Sequence, residues 1–321
     1  MEETDVFGVQ NPEKDEIGFV SVTGSHGQQP SITVYCGAHA LYQFLELLAR
    51  DDLEMGSASE TILEMSRLQA SFEDRSYLQP QDIAVVTSLG LRYRGSKAWP
   101  MFRSHVPGNI PWFVDAFEAR FLTHVLQQLA DVAPRFREDH GLVDRDGREN
   151  FLVRAAERHG QSSAWSDRVE CVAEPPPASI PFALPEGVAD SLLLLPRGGE
   201  PLEADLFVVP ALVGEKEGRA PYMYVLLMVG TQTGTVFGHE ILTAVPSIEK
   251  MLGAVASHVA DAIAEMGKRP IEIRVSSTRM SRLLQPLTMK IGIALELSKE
   301  IEMIALGEAR EKLVRIFTRG Y

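Results

Sequence analysis

Few residues in this chain have the type and spacing to do chemistry. Cys36 stands one residue before Gly37 and three before His39, at a predicted strand-to-helix junction. A thiolate there would be stabilised by the helix N-terminus, which is how nucleophilic cysteines are activated. The competing reading is a small buried residue that closes the strand, and the usual behaviour of cysteine favours it. His239-Glu240 is an acid-base pair in sequence, but on a predicted strand the two side chains point to opposite faces and do not readily share one ion. His124 and His258 stand alone on predicted helices. No H-E-x-x-H, C-x-x-C, G-x-S-x-G or G-x-x-x-x-G-K-[ST] motif occurs. These motifs nominate no metal ligands, and no cofactor is expected.

Two further groups suit binding. Trp99, Pro100, Phe102, Arg103, Pro107, Pro111 and Trp112 form the densest aromatic and proline cluster. Aromatics with an arginine in a rigid loop can line a peptide or ligand groove. They can equally plug a gap beneath a sheet, which is the commoner use of such rings. The candidates for the groove are Trp99, Phe102, Arg103 and Trp112. Near the C-terminus Lys268, Arg269, Arg274, Arg279, Arg282 and Lys290 could make an anion-binding face, with Arg274, Arg279 and Arg282 as the candidates. The plainer alternative is a solvated helix face.

The elements that must position these residues follow from pattern. Strands are expected over 6–10, 17–22 and 31–36, then a helix over 37–50. A loop covers 51–59, and a second helix covers roughly 60–68. Pro80 and Gly90 bracket another helix, and 91–95 suggests a short strand. Residues 99–113 are expected to be irregular but ordered. Asp115-x-x-Glu118 resembles a capping box for a helix that stops before Pro134. A charged loop over 139–150 leads to a hairpin with arms at 151–155 and 169–172. Glu174-Pro-Pro-Pro177 is the clearest boundary, because three prolines favour an extended spacer.

Beyond it, 205–213, 222–229 and 235–242 are strands, the second apolar enough to be buried on both faces. A long helix starts at Pro246 and ends at Gly267. A strand over 271–275, a helix kinked or split at Pro286, a strand over 291–297 and a helix over 301–317 complete the chain.

The fold class is therefore α/β. Residues 1–173 form an acidic α+β domain, 174–201 a Pro-rich linker, and 202–321 a mixed-sheet α/β domain. The chain has 321 residues and a formal net charge of −13. Residues 1–177 hold 27 acids and 16 bases, a net −11, against 17 acids and 15 bases beyond. Nucleic acid is disfavoured as a partner of that acidic half. No apolar run reaches the roughly 20 residues that span a bilayer, so no membrane partner is expected. The acidic start is not expected to be a signal peptide. Two cysteines far apart fit reduced thiols in a cytoplasm.

The order strand, strand, strand, helix, strand, helix, strand, helix resembles the RNase H-like fold, closest to the integrase and transposase core. The local likeness lies in Tyr222-Met-Tyr-Val-Leu-Leu-Met-Val-Gly230 and Gly234-Thr-Val-Phe-Gly-His-Glu-Ile-Leu242. The whole chain is similar to an uncharacterised bacterial family through 5–12, 70–75, 98–103 and 107–113. No activity transfers from that family. The RNase H-like likeness implies two divalent ions held by clustered carboxylates. It nominates Asp205 on the first strand, with Glu249 and Glu308 or Glu311 on helices. The fourth strand, Ile273-Arg-Val-Ser-Ser277, carries no acid where one is expected.

The expectation is thus a non-catalytic interaction or accessory protein of the bacterial cytoplasm, with a protein partner or a second copy of itself. The alternatives are a divalent-metal-dependent nucleic-acid-processing enzyme, or a nucleic-acid-binding relic of one.

Overall fold

A computed structural model describes residues 4–24, 30–49, 61–143, 149–159, 162–176, 179–212 and 218–318. The chain divides into two compact units, 1–106 with 111–176, and 107–110 with 177–321. The fold is α/β in class, built from helices and two large sheets.

The first unit runs β1 (Phe7–Gln10), β2 (Ile17–Thr23), β3 (Ser31–Cys36), α1 (Gly37–Ala49), β4 (Arg67–Glu73), α2 (Pro80–Ser88), β5 (Trp99–His105), α3 (Ala116–Glu138), β6 (Asn150–His159) and β7 (Ser162–Cys171). Its seven strands lie in the order β5-β4-β3-β2-β1-β6-β7, with only β1 and β6 parallel. Alternation assigns the faces. Phe7, Val9, Val20 and Val34 meet Phe121, Val125 and Val132 of α3. Phe19, Tyr35 and Val153 meet Ala40 and Leu41 of α1 on the other side.

The capping box forms as the sequence suggests. Asp115 Oδ1 accepts the Glu118 N–H at 2.8 Å, and Glu118 Oε2 accepts the Asp115 N–H at 2.9 Å. The Arg135 and Arg154 guanidiniums both pair with Asp167, which ties α3 to the β6–β7 hairpin.

Several local expectations are overturned. The helix expected over 60–68 is helical only at its start, because Arg67–Glu73 pairs with β3 as a strand. Residues 91–95 form no strand. Just beyond them Asp74 Oδ1 takes the Ser96 hydroxyl and the Lys97 N–H, pinning the loop to β4's end. Residues 99–105 are not irregular; they form the sheet's edge strand β5. An edge is where Pro100, lacking an N–H, is tolerated. α3 does not stop at Pro134, and the helix Thr278–Ile291 does not break at Pro286. A helical proline costs about 3 kcal/mol. Burying residues such as Val132 and Phe136, or Leu284 and Leu287, returns about 1.5–3 kcal/mol each. The loop expected over 51–59 lies outside the described residues.

The second unit runs α4 (Val188–Leu193), β8 (Arg197–Gly199), β9 (Leu202–Leu212), β10 (Tyr222–Gly230), β11 (Val236–Leu242), α5 (Ile248–Met266), β12 (Arg269–Pro270), β13 (Glu272–Val275), α6 (Thr278–Ile291), β14 (Ala294–Leu297) and α7 (Ile304–Thr318). Its sheet is ordered β11-β10-β9-β13-β14. β9, β10 and β11 are antiparallel, and β13 and β14 run parallel to β9. α5 and α6 cover one face through Val255, Val259, Ile263, Leu284 and Leu287. α7 covers the other over Phe207, Val209, Met223 and Val225. β10 is buried along almost its whole length, as its continuous apolar run requires.

The long helix begins at Ile248 rather than Pro246. Ser247 Oγ accepts the Lys250 N–H at 3.3 Å and caps it. The segment expected as linker is partly folded into this unit: α4 buries Leu192, and β8 pairs with β12. Pro107–Ile110 also belongs here. Gly108 O accepts the Tyr222 N–H, and the Ile110 N–H donates to Ala220 O, both at 2.9 Å.

Candidate functional site

Of the acids nominated for catalysis, Asp205 lies on β9. Alternation sends Leu202, Ala204 and Leu206 into the α5–α6 core. It sends Glu203, Asp205 and Phe207 to the α7 face. Glu203 and Asp205 are buried carboxylates, 3% and 6% exposed. Both have partners inside the fold. Glu203 Oε2 accepts the backbone N–H of Leu306 at 2.7 Å, in the first turn of α7. Asp205 Oδ2 lies 3.9 Å from Arg310 Nη1, and that guanidinium sits 4.6 Å above the Phe207 ring. A buried carboxylate needs such compensation, because an unpaired charge in a low-dielectric interior is very costly.

The fourth strand brings Arg274 to this face, with Glu272 two residues before it on the same side. Arg274 lies in register with Glu203 on β9 and with Glu296 on β14. Its Nε donates to Glu272 Oε1 at 2.5 Å, with Glu296 Oε2 at 3.7 Å. The Arg274 guanidinium holds the Glu272 carboxyl below the usual carboxylate range. Ser277 Oγ caps α6 by accepting the Met280 N–H at 3.1 Å. It therefore serves a helix terminus.

The other nominated acids do not converge on Asp205. Glu249 belongs to α5, on the opposite face of the sheet. Glu308 and Glu311 are exposed on α7, beside Lys312 and Arg315 at 3.9 and 3.2 Å. Among the described residues no three His, Cys, Asp or Glu side chains are placed to hold a metal ion. The two-metal arrangement implied by the RNase H-like likeness is thus not assembled by these residues. Sequence reading missed Glu203, Arg310 and Glu272. The i, i+2 pair Glu203/Asp205 inside an apolar strand was the available signal, since two buried acids on one strand face demand partners.

The basic stretch is spread across different duties. Arg269 donates to the carbonyls of Leu195 and Ile291 at 3.1 and 2.9 Å. Arg279 Nη2 reaches Leu206 O at 3.3 Å. Lys290 Nζ sits 5.2 Å over the Phe182 ring, and Arg274 is ion-paired as described. Arg282 and Lys268 are exposed.

The aromatic cluster is split by strand alternation. On β5, Trp99 and Arg103 share one face and Phe102 takes the other. Arg103 is 7% exposed and forks onto both oxygens of Asp82 in α2, at 2.9 and 2.6 Å. Its guanidinium lies 4.8 Å from the Phe113 ring. Trp99 packs beside Tyr93 and Arg75. Trp112 folds back to bridge Ser104 at the sheet edge through two backbone hydrogen bonds.

Cys36 is not an activated thiol. Burial first, then the negative Glu16 and Glu118, pushes its pKa up to about 12.

No helix among the described residues is long and apolar enough to cross a membrane. Residues 1–154 match a domain of unknown function (DUF7309), and residues 191–313 match a second (DUF6930). No curated protein matches the chain. The chain therefore joins an N-terminal half similar to one domain of unknown function to a C-terminal half similar to another.

Proposed function

We propose that this chain is a non-catalytic interaction protein whose second unit carries an RNase H-like arrangement without its metal-binding acids. The element order β9, β10, β11, α5, β13, α6, β14, α7 supports the likeness. So does the folding of those strands into one mixed sheet. The observation that carries the functional part is the engagement of Glu203 and Asp205 by Leu306 and Arg310, with Arg274 at the facing position of the fourth strand. A two-metal site needs carboxylate oxygens turned toward the ions. Here they face a helix N-terminus and guanidiniums. The bacterial part of the reading rests on the sequence likeness. The cytoplasmic part rests on two free cysteines in a chain of this length.

The test is incubation of the full chain with DNA, RNA and DNA–RNA hybrid substrates in Mg²⁺ or Mn²⁺. No cleavage above a no-enzyme control is expected. Metal-dependent cleavage that Asp205→Ala abolishes would overturn the proposal.

A further inference from the structure

The sheet of the second unit ends at β11, and among the described residues no strand pairs with its outer edge. Seven residues with an open ladder are a template for another strand. Alternation fixes what an added strand would meet. Gly238 and Glu240 lie opposite Met228 and Leu226, on the α5 face. His239 and Ile241 lie opposite Leu227 and Val225, on the α7 face. At Gly238 the helix comes very close, since a Cβ there would fall 2.8 Å from the Ala262 Cβ. Around that contact a cavity of about 390 Å³ remains between β11 and α5. Its charged and titratable lining is His239, Glu240, His258, Asp261 and Glu265, with no Lys or Arg. The last three follow at i, i+3 and i+7, so they form one stripe of α5 beside the edge.

We infer that the open edge of β11 accepts an extended peptide segment in which Lys or Arg alternates with aliphatic residues, bound as an added strand. Main-chain bonds supply the register, and alternate side chains supply selectivity. Cationic side chains on the α5 face reach Glu240, Asp261 and Glu265. Aliphatic side chains on the other face cover Ile241, which is 48% exposed. Charge also selects against a second copy of this chain. Two β11 edges paired across a twofold would set one acidic α5 stripe beside the other, and like charges so placed repel. This inference rests on the non-catalytic reading and names the partner that reading leaves open.

The test uses the full chain and three fluorescein-labelled nine-residue peptides. One alternates Lys and Val, one alternates Glu and Val, and one has the lysines and valines in two blocks. The alternating Lys/Val peptide is expected to bind at least about tenfold tighter than either control, a difference of about 1.4 kcal/mol. The double variant Glu240→Lys/Asp261→Lys, both exposed positions, is expected to lose at least about tenfold in affinity with an unchanged circular dichroism spectrum. Amide exchange in 236–242 should slow when the peptide binds. Equal binding of the alternating and block peptides, absence of binding, or unchanged exchange in β11 would overturn the inference. Self-association with β11 already protected would give the edge to a second copy and overturn it too. Metal-dependent cleavage would instead sink the non-catalytic reading, so the two failures are distinguishable.

Discussion

Glu203 Oε2 accepts the backbone N–H of Leu306 at 2.7 Å, so a carboxylate from the middle of a sheet caps the helix laid over it. The first turn of α7 contains no acidic residue of its own. Its free N–H groups and positive dipole end are met by a residue 103 positions earlier in sequence. Glu203→Gln keeps an acceptor and loses the charge, and is expected to cost about 1 kcal/mol. Glu203→Leu leaves a buried N–H without its partner and is expected to cost about 1–3 kcal/mol. Urea denaturation measures both, and equal costs would show that the acceptor is not what matters.

Gly253 is a second point of contact without slack. A Cβ there would lie 2.4 Å from Pro181 O, where the 180–184 segment crosses α5. The Ala183 N–H donates to Gly253 O at 3.3 Å in the same crossing. Gly253→Ala improves helix propensity by about 1 kcal/mol. The clash is with backbone, which no rotamer change relieves, and overpacking of this kind costs about 1–3 kcal/mol. Net destabilisation is expected, with faster proteolysis between 179 and 187. A variant more stable than the parent would mean the segment moves aside freely.

Asp167 links acid stability to the first unit. Hydrogen bonding from Arg135, then from Arg154, holds its pKa below the usual 3.8. A group with a depressed folded pKa stabilises fully above its unfolded value and loses that contribution as pH falls through the folded one. Asp167→Asn should therefore lower Tm most at neutral pH. The gap to the parent should shrink once pH drops below about 3.8. A gap independent of pH would assign the effect to packing.

Cys36 and Cys171 should differ sharply toward an alkylating agent. With a thiol at about 12, only about one Cys36 in ten thousand is thiolate at pH 8. Cys171 is exposed. Iodoacetamide at pH 8 is expected to label Cys171 and to spare Cys36 until denaturant is added, read by mass spectrometry. Rapid labelling of Cys36 in the folded chain would restore the nucleophile reading.

The legible parts of the fold are those decided within a few residues. The capping box at Asp115 and Glu118, the αL glycine Gly267 that ends α5, and the apolar run of β10 all appear where the pattern places them, whereas Gly292, inside the strand expected over 291–297, ends α6 instead. β5 was illegible because Pro100 argues against a strand until it is known that the strand is an edge. The candidate site was half legible. Asp205 was identifiable as a strand acid facing one side, but its neighbours were not, since Glu203, Arg274 and Arg310 come from three elements more than 100 residues apart at the extremes.

By itself, then, the sequence determined most of the elements of this protein and the alternation that gives each strand two faces, because both follow from short-range periodicity and local hydrogen bonding. Only the tertiary structure decided that Glu249 and Glu308 lie on opposite faces of the sheet from one another. It also decided that the β9 acids meet a helix terminus and an arginine, and that β11 stands at an open edge beside an acidic stripe. Those outcomes depend on which strand neighbours which and on which face each helix packs. Long-range burial sets both, and no local spacing encodes them.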